Sequence, residues 1–97
     1  MLLAIDIGNS NISVGLFDKA GKLLFLSSID TDSRKTADQI SIDLMNLFAL
    51  YRYDLKDVTG AIFSSVVPAL TPRLREALRK MCECQIMEVG PGLKSGV

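Results

Sequence analysis

The sequence predicts an α/β domain with a mixed sheet, in the order β-β-β-α-β-α-β. Three observations carry this. The chain opens with three short apolar runs separated by tight polar turns, the pattern of an antiparallel meander. Apolar residues then recur at helical spacing in two stretches, 36–52 and 71–81. A short apolar run follows each stretch, so the later strands are joined through helices.

The first strand is Leu2-Leu3-Ala4-Ile5-Asp6-Ile7, and Gly8-Asn9-Ser10-Asn11 is the turn after it. Ile12, Val14 and Leu16 then alternate with Ser13, Gly15 and Phe17, giving the second strand of a hairpin. Asp18 to Lys22 is a polar turn with one glycine, and Leu23 to Ile29 is the third strand. Asp30 to Lys35 is a polar connection.

Thr36-Ala37-Asp38-Gln39 fits a capping box, with Thr36 as N-cap and Gln39 reaching back to it. Ile40, Leu44, Leu47 and Tyr51 continue at helical spacing, and Met45 and Phe48 widen the stripe. Gly60-Ala61-Ile62-Phe63 is a buried strand ending at Ser64-Ser65, before Pro68 denies the ladder a donor. Thr71-Pro72 reads as an N-cap and first helical residue. Leu74, Ala77, Leu78 and Met81 face inward from the second helix, while Arg73, Arg75, Arg79 and Lys80 face water. Cys84 to Val89 is the last strand, and Gly90 to Val97 a glycine-rich turn that stops mid-loop, as a fragment would.

Composition narrows the function classes. At 97 residues, 48% hydrophobic and 23% charged, the chain is one domain or part of one. Eleven basic and eleven acidic residues give zero net charge, so no basic field points to nucleic acid. No apolar run approaches the ~20 residues that span a bilayer, so no membrane role is expected. The amino terminus lacks the basic start of a signal peptide, and the expected compartment is cytoplasmic. Histidine is absent, which removes imidazole bases and ligands. Cys82 and Cys84 form a lone C-x-C, and on a strand both would point to one face. Without further ligands they read as buried structural thiols rather than a metal site.

Asp6 is the informative residue. It sits one position before the end of a strand that reads as buried, where a lone carboxylate is costly unless a cation meets it. The turn after it offers small side chains, hydroxyls, amides and backbone N–H groups. Such a turn can surround phosphate oxygens while the carboxylate holds Mg²⁺. The same residues also suit a hairpin whose Asp and Asn satisfy their own backbone, and the motif alone does not decide. Ser64 and Ser65 stand at the carboxyl end of a strand, where open α/β sheets place ligands. They too could simply cap local backbone.

Three stretches taken together are more specific. Asp6-Ile7-Gly8-Asn9-Ser10-Asn11, then Ser64-Ser65-Val66-Val67-Pro68, then Val89-Gly90-Pro91-Gly92-Leu93-Lys94-Ser95-Gly96 resemble, in order, the motifs of type III pantothenate kinases. Thr31-Asp32 and Arg34-Lys35-Thr36-Ala37-Asp38 resemble the segment between the first two. The resemblance covers essentially all 97 residues but only the amino-terminal part of a longer family. It implies a ribonuclease-H-like, actin-like ATPase domain over residues 1–97, with the second domain of the nucleotide cleft absent from this chain. It implies ATP-dependent phosphorylation of pantothenate, the first step of coenzyme A biosynthesis, with Mg²⁺, a monovalent cation (K⁺ or NH₄⁺) and a homodimer.

Residue by residue, the resemblance implies ATP binding by Asp6, Ile7, Gly8, Asn9, Ser10, Asn11, Ile12 and Ser13, with Asp6 as the metal residue. It implies pantothenate contacts from Gly90, Gly92, Lys94, Ser95 and Gly96. Ser10 stands where many members carry Thr, and Gln39 where an acid is frequent. The family's catalytic Asp lies in a G-A-D-R segment that this chain lacks, so no catalytic residue is assigned here and the chain alone is expected to be inactive. The alternatives are a non-catalytic actin-like nucleotide-binding regulator of the transcription accessory type, and an α/β interaction domain whose D-x-G-N is only a turn.

Overall fold

Five strands form one sheet in the computed structural model, which describes residues 1–90. They are β1 (Leu2–Ile7), β2 (Asn11–Phe17), β3 (Leu23–Asp30), β4 (Gly60–Ser65) and β5 (Gln85–Glu88). Helix α1 (Ala37–Tyr51) joins β3 to β4, and α2 (Thr71–Met81) joins β4 to β5. The spatial order is β3-β2-β1-β4-β5. β1 lies at the centre, antiparallel to β2 with Ile5 opposite Val14, and parallel to β4 with Ile5 opposite Phe63. The meander and the helix-linked strands expected from the sequence are both present.

The pleat sorts the side chains. Leu3, Ile5 and Ile7 of β1, Ile12, Val14 and Leu16 of β2, and Ala61 and Phe63 of β4 are buried in one core. Ile40, Leu44, Leu47 and Phe48 of α1 and Leu74, Ala77 and Leu78 of α2 join them. Each fully buried Leu, Ile or Phe stabilises the fold by roughly 1.5–3 kcal/mol relative to exposure.

The capping box of α1 forms as expected. Thr36 Oγ1 accepts from the Gln39 amide at 3.1 Å, and Gln39 Oε1 accepts from the Thr36 amide at 3.3 Å. The helix ends on Arg52 at φ +65°, and the Tyr53 amide closes back on the Phe48 carbonyl at 2.9 Å. Phe25 of β3 stacks on Tyr51 at 4.5 Å and meets Phe48 edge-on at 5.7 Å, clamping α1 to the sheet edge.

Several expectations are corrected. Met45 does not widen the buried stripe but is 52% exposed, because it lies on the far side of α1. The N-cap of α2 is Leu70, and Thr71 is already helical; its hydroxyl donates to the Val67 carbonyl instead of capping. β5 is shorter than expected, and Cys82 and Cys84 both precede it, so they share no strand face. Cys82 is nevertheless buried, which pushes its thiol up to about 11. The basic residues of α2 are not simply solvated: Arg75 pairs with Glu88, Lys80 with Asp38 at 3.0 Å, and Arg73 with backbone carbonyls.

The other face of the sheet carries no helix among the described residues. It holds a groove of about 320 Å³ whose apolar wall includes Ala4, Phe17, Leu26 and Ile62. No helix among these residues is long and apolar enough to cross a membrane.

Candidate functional site

Parallel strands point their carboxyl ends the same way, so β1, β4 and β5 finish at one end of the sheet. The first two sequence stretches singled out above and the described start of the third, Val89 and Gly90, therefore converge. The Val66 amide bonds the Ile7 carbonyl at 3.0 Å, and the Val89 amide bonds the Phe63 carbonyl at 2.8 Å. Side by side stand the Gly8 turn, the Ser64-Ser65 strand end and the start of the glycine-rich segment at Gly90.

Asp6 is exposed on the open face, not buried. The expected desolvation penalty does not arise, because alternation turns Asp6 away from the core that holds Ile5 and Ile7. In the ladders, Asp6 lies opposite Ser13 on β2 and opposite Ser64 on β4. Ser64 Oγ donates to Asp6 Oδ1 at 2.7 Å. Asp6, Ser13 and Ser64 all line the groove, forming its polar end.

The remaining site residues divide by orientation. Ile7 and Ile12 bury their side chains in the core, so only their backbone could meet a ligand. Asn9 and Ser10 are exposed at the tip, while Asn11 already belongs to β2. The Gly8 amide donates to the Asn11 carbonyl at 2.9 Å and closes the turn. A Cβ on Gly8 would lie 3.1 Å from that carbonyl oxygen, which is why the position favours glycine. Ser65 does what its local reading foresaw: its Oγ accepts from the Val67 amide and donates to the Val67 carbonyl, both at 3.1 Å. Gly90 is half-buried beside the strand ends. Gly92, Lys94, Ser95 and Gly96 lie outside the described residues.

Sequence reasoning named Thr31 without giving it a contact. Its Oγ1 donates to the Gly8 carbonyl at 2.8 Å and its amide to the Ser10 carbonyl at 3.0 Å. The strap after it is held at both flanks. Arg73 Nη1 donates to the carbonyls of Ser33 at 2.8 Å and Lys35 at 3.0 Å, and Lys35 Nζ pairs with Asp43 at 2.7 Å. Between them the Arg34 side chain, hydrogen-bonded to Asp32, holds that carboxyl below its ordinary value. The Thr31 bond to Gly8 and the Arg73 bond to Ser33 link positions 23 and 40 apart, separations that no local pattern reveals.

The donor set suits a hard cation. It offers one exposed carboxylate with neighbouring hydroxyls, and the described residues contain no cluster of three His, Cys, Asp or Glu. Mg²⁺ commonly takes one or two carboxylates and completes its shell with water and phosphate oxygens.

Comparisons with known proteins bear on this site. A family model described as type III pantothenate kinase matches residues 2–97. The chain is 42% identical over 98 residues to a type III pantothenate kinase of Moorella thermoacetica, an alignment covering 100% of this chain and 38% of that protein. Among solved structures, a Bacteroides thetaiotaomicron protein with an actin-like ATPase fold matches at TM-score 0.63 and 12% identity, over 91% of this chain and 32% of that one. A ROK family transcriptional regulator, homologous to the E. coli MLC protein, matches at TM-score 0.63 and 15% identity, over 92% and 27%. At these identities the two structures establish the actin-like fold and nothing more.

Proposed function

The chain belongs to the type III pantothenate kinase family, and from that premise we propose that a protein carrying it transfers the γ-phosphoryl of ATP to pantothenate. This reaction opens coenzyme A biosynthesis. Residues 1–97 contribute its amino-terminal nucleotide-binding domain. One observation carries the reading: Asp6, the Gly8–Asn11 turn and Ser64 meet at the carboxyl ends of adjacent parallel strands.

Phosphoryl transfer asks a protein mainly for positioning and charge neutralisation. In the proposal, backbone N–H groups of the turn hold the β- and γ-phosphates. Asp6 would hold Mg²⁺, directly or through water, and Ser64 fixes the carboxylate by its hydrogen bond. Bound there, the ion would supply positive charge against the phosphate oxygens. Ser13 lies across from Asp6 and keeps that end of the groove polar. Gly90 and the residues after it, Gly92, Lys94, Ser95 and Gly96, would lead to the pantothenate pocket. The acid that accepts the pantothenate hydroxyl proton is assigned outside this chain. A monovalent cation (K⁺ or NH₄⁺), a homodimer and a cytoplasmic location complete the proposal by family resemblance.

The test is a coupled assay of the full-length protein with MgATP and pantothenate. Phosphopantothenate formation is expected. Binding of MgATP with no turnover in the presence of K⁺ would favour the non-catalytic regulator, and no nucleotide binding at all would leave the turn as structure only.

A further inference from the structure

We infer that Thr31 positions the phosphate-binding turn, acting on the Asn9 and Asn11 amides from outside the motif that contains them. The inference rests on the nucleotide reading above. A trans peptide is planar, so its C=O and N–H point in opposite directions. The described chain contains no cis peptide bond. The Gly8 carbonyl belongs to the same peptide as the Asn9 amide, and the Ser10 carbonyl to the same peptide as the Asn11 amide. Thr31 binds both carbonyls, one through Oγ1 at 2.8 Å and one through its own amide at 3.0 Å. Those two bonds turn the carbonyls toward the 31–35 strap and the two amides away from it.

The consequence is electrostatic. An anion site fails if a carbonyl swings into it, because each peptide flip exchanges a partial positive charge for a partial negative one. The Gly8 amide occupies the Asn11 carbonyl at 2.9 Å, so three carbonyls of the turn are committed to protein donors. Thr31 supplies two of those three bonds. Its own place is set by the strap, which Arg73 grips from α2 through the Ser33 and Lys35 carbonyls. Thr31 touches no substrate in this account and is a positioning residue.

The experiment compares Thr31→Val, which keeps the shape and loses the hydroxyl, with Thr31→Ser, which keeps the hydroxyl. Both are made in the full-length protein and titrated calorimetrically with MgATP and separately with pantothenate. Thr31→Val should bind MgATP about tenfold more weakly, the equivalent of one hydrogen bond. Thr31→Ser should stay within about twofold of wild type, and pantothenate affinity should not change in either. If Thr31→Val fails to fold, Thr31→Ala reads the same loss. Equal MgATP affinity in wild type and Thr31→Val overturns the inference while leaving the nucleotide reading intact. Equal losses in Thr31→Val and Thr31→Ser overturn it too, since the hydroxyl would then not be responsible. A wild-type protein that binds no MgATP removes the premise and this inference with it.

Discussion

Ser64 donates to Asp6 at 2.7 Å across 58 positions of sequence, joining the carboxyl ends of β1 and β4. The bond holds one carboxylate oxygen against β4 while the residue stays exposed on the groove. Asp6→Ala in the full-length protein should therefore lower kcat by on the order of a hundredfold or more, a loss typical of removing a charge-stabilising group. The fold should survive, since Asp6 lies outside the core. Ser64→Ala should cost less, roughly three- to tenfold, because it removes a single hydrogen bond. Steady-state kinetics with thermal unfolding reads both, and an unimpaired Asp6→Ala removes the acid from the mechanism.

Gly8→Ala places a Cβ 3.1 Å from the Asn11 carbonyl. The contact must push that carbonyl outward and lengthen the bond that closes the turn. Weaker MgATP binding with little change in unfolding temperature is the expected result, by calorimetry on the full-length variant. Unchanged affinity would mean that the carbonyl yields without disturbing the amides.

Arg52 ends α1 in the left-handed region, at φ +65°. A Cβ there is strained, and glycine is not. Arg52→Gly should stabilise the protein by roughly 0.5–1 kcal/mol. The reading is a higher urea midpoint at unchanged slope.

Cys82 has its thiol raised from 9.0 to about 11, first by burial and then by Cys84. The folded state thus holds the proton more tightly than the unfolded one. The stability this adds is complete below pH 9 and is lost as pH rises toward about 11. Urea midpoints taken across that range should fall, and Cys82→Ala should remove part of the slope. Alkylation of Cys82 at neutral pH should be slow until the protein unfolds.

The open sheet face leaves Leu26 64% and Met87 55% exposed beside the groove. The 97-residue chain by itself should bind an apolar fluorescent dye while keeping native circular dichroism. Leu26→Lys should lower that signal without unfolding the sheet. A chain that binds no dye would show the face to be covered.

Legibility varied from residue to residue for physical reasons. Thr36 and Gln39 were readable because a capping box is written within four positions. Leu74, Ala77 and Leu78 were readable because burial follows helical period. Asp6 stands out in the sequence as a candidate site residue, but its expected buried surroundings are not those of the structure. Its neighbours in sequence are apolar, and only the one-sided coverage of the sheet leaves it exposed. Met45 was misplaced because a widened stripe and an outward residue look alike until α1 is docked. Thr71 was misread because the chain enters α2 one residue earlier, from Leu70.

What the sequence determined by itself is local: strand alternation, the glycine-closed turn after Asp6, the first helix cap, and the ordered motifs that mark the family. Each depends on contacts within a few residues or on residue identity. What the tertiary structure alone decided is which of these meet. Asp6 reaches Ser64 through the parallel pairing of β1 with β4, Thr31 reaches Gly8 through the β2–β3 ladder that sets Asn11 opposite Asp30, and Arg73 reaches the strap through the docking of α2. Those meetings depend on sheet register and helix placement, which the whole core sets and no short stretch encodes.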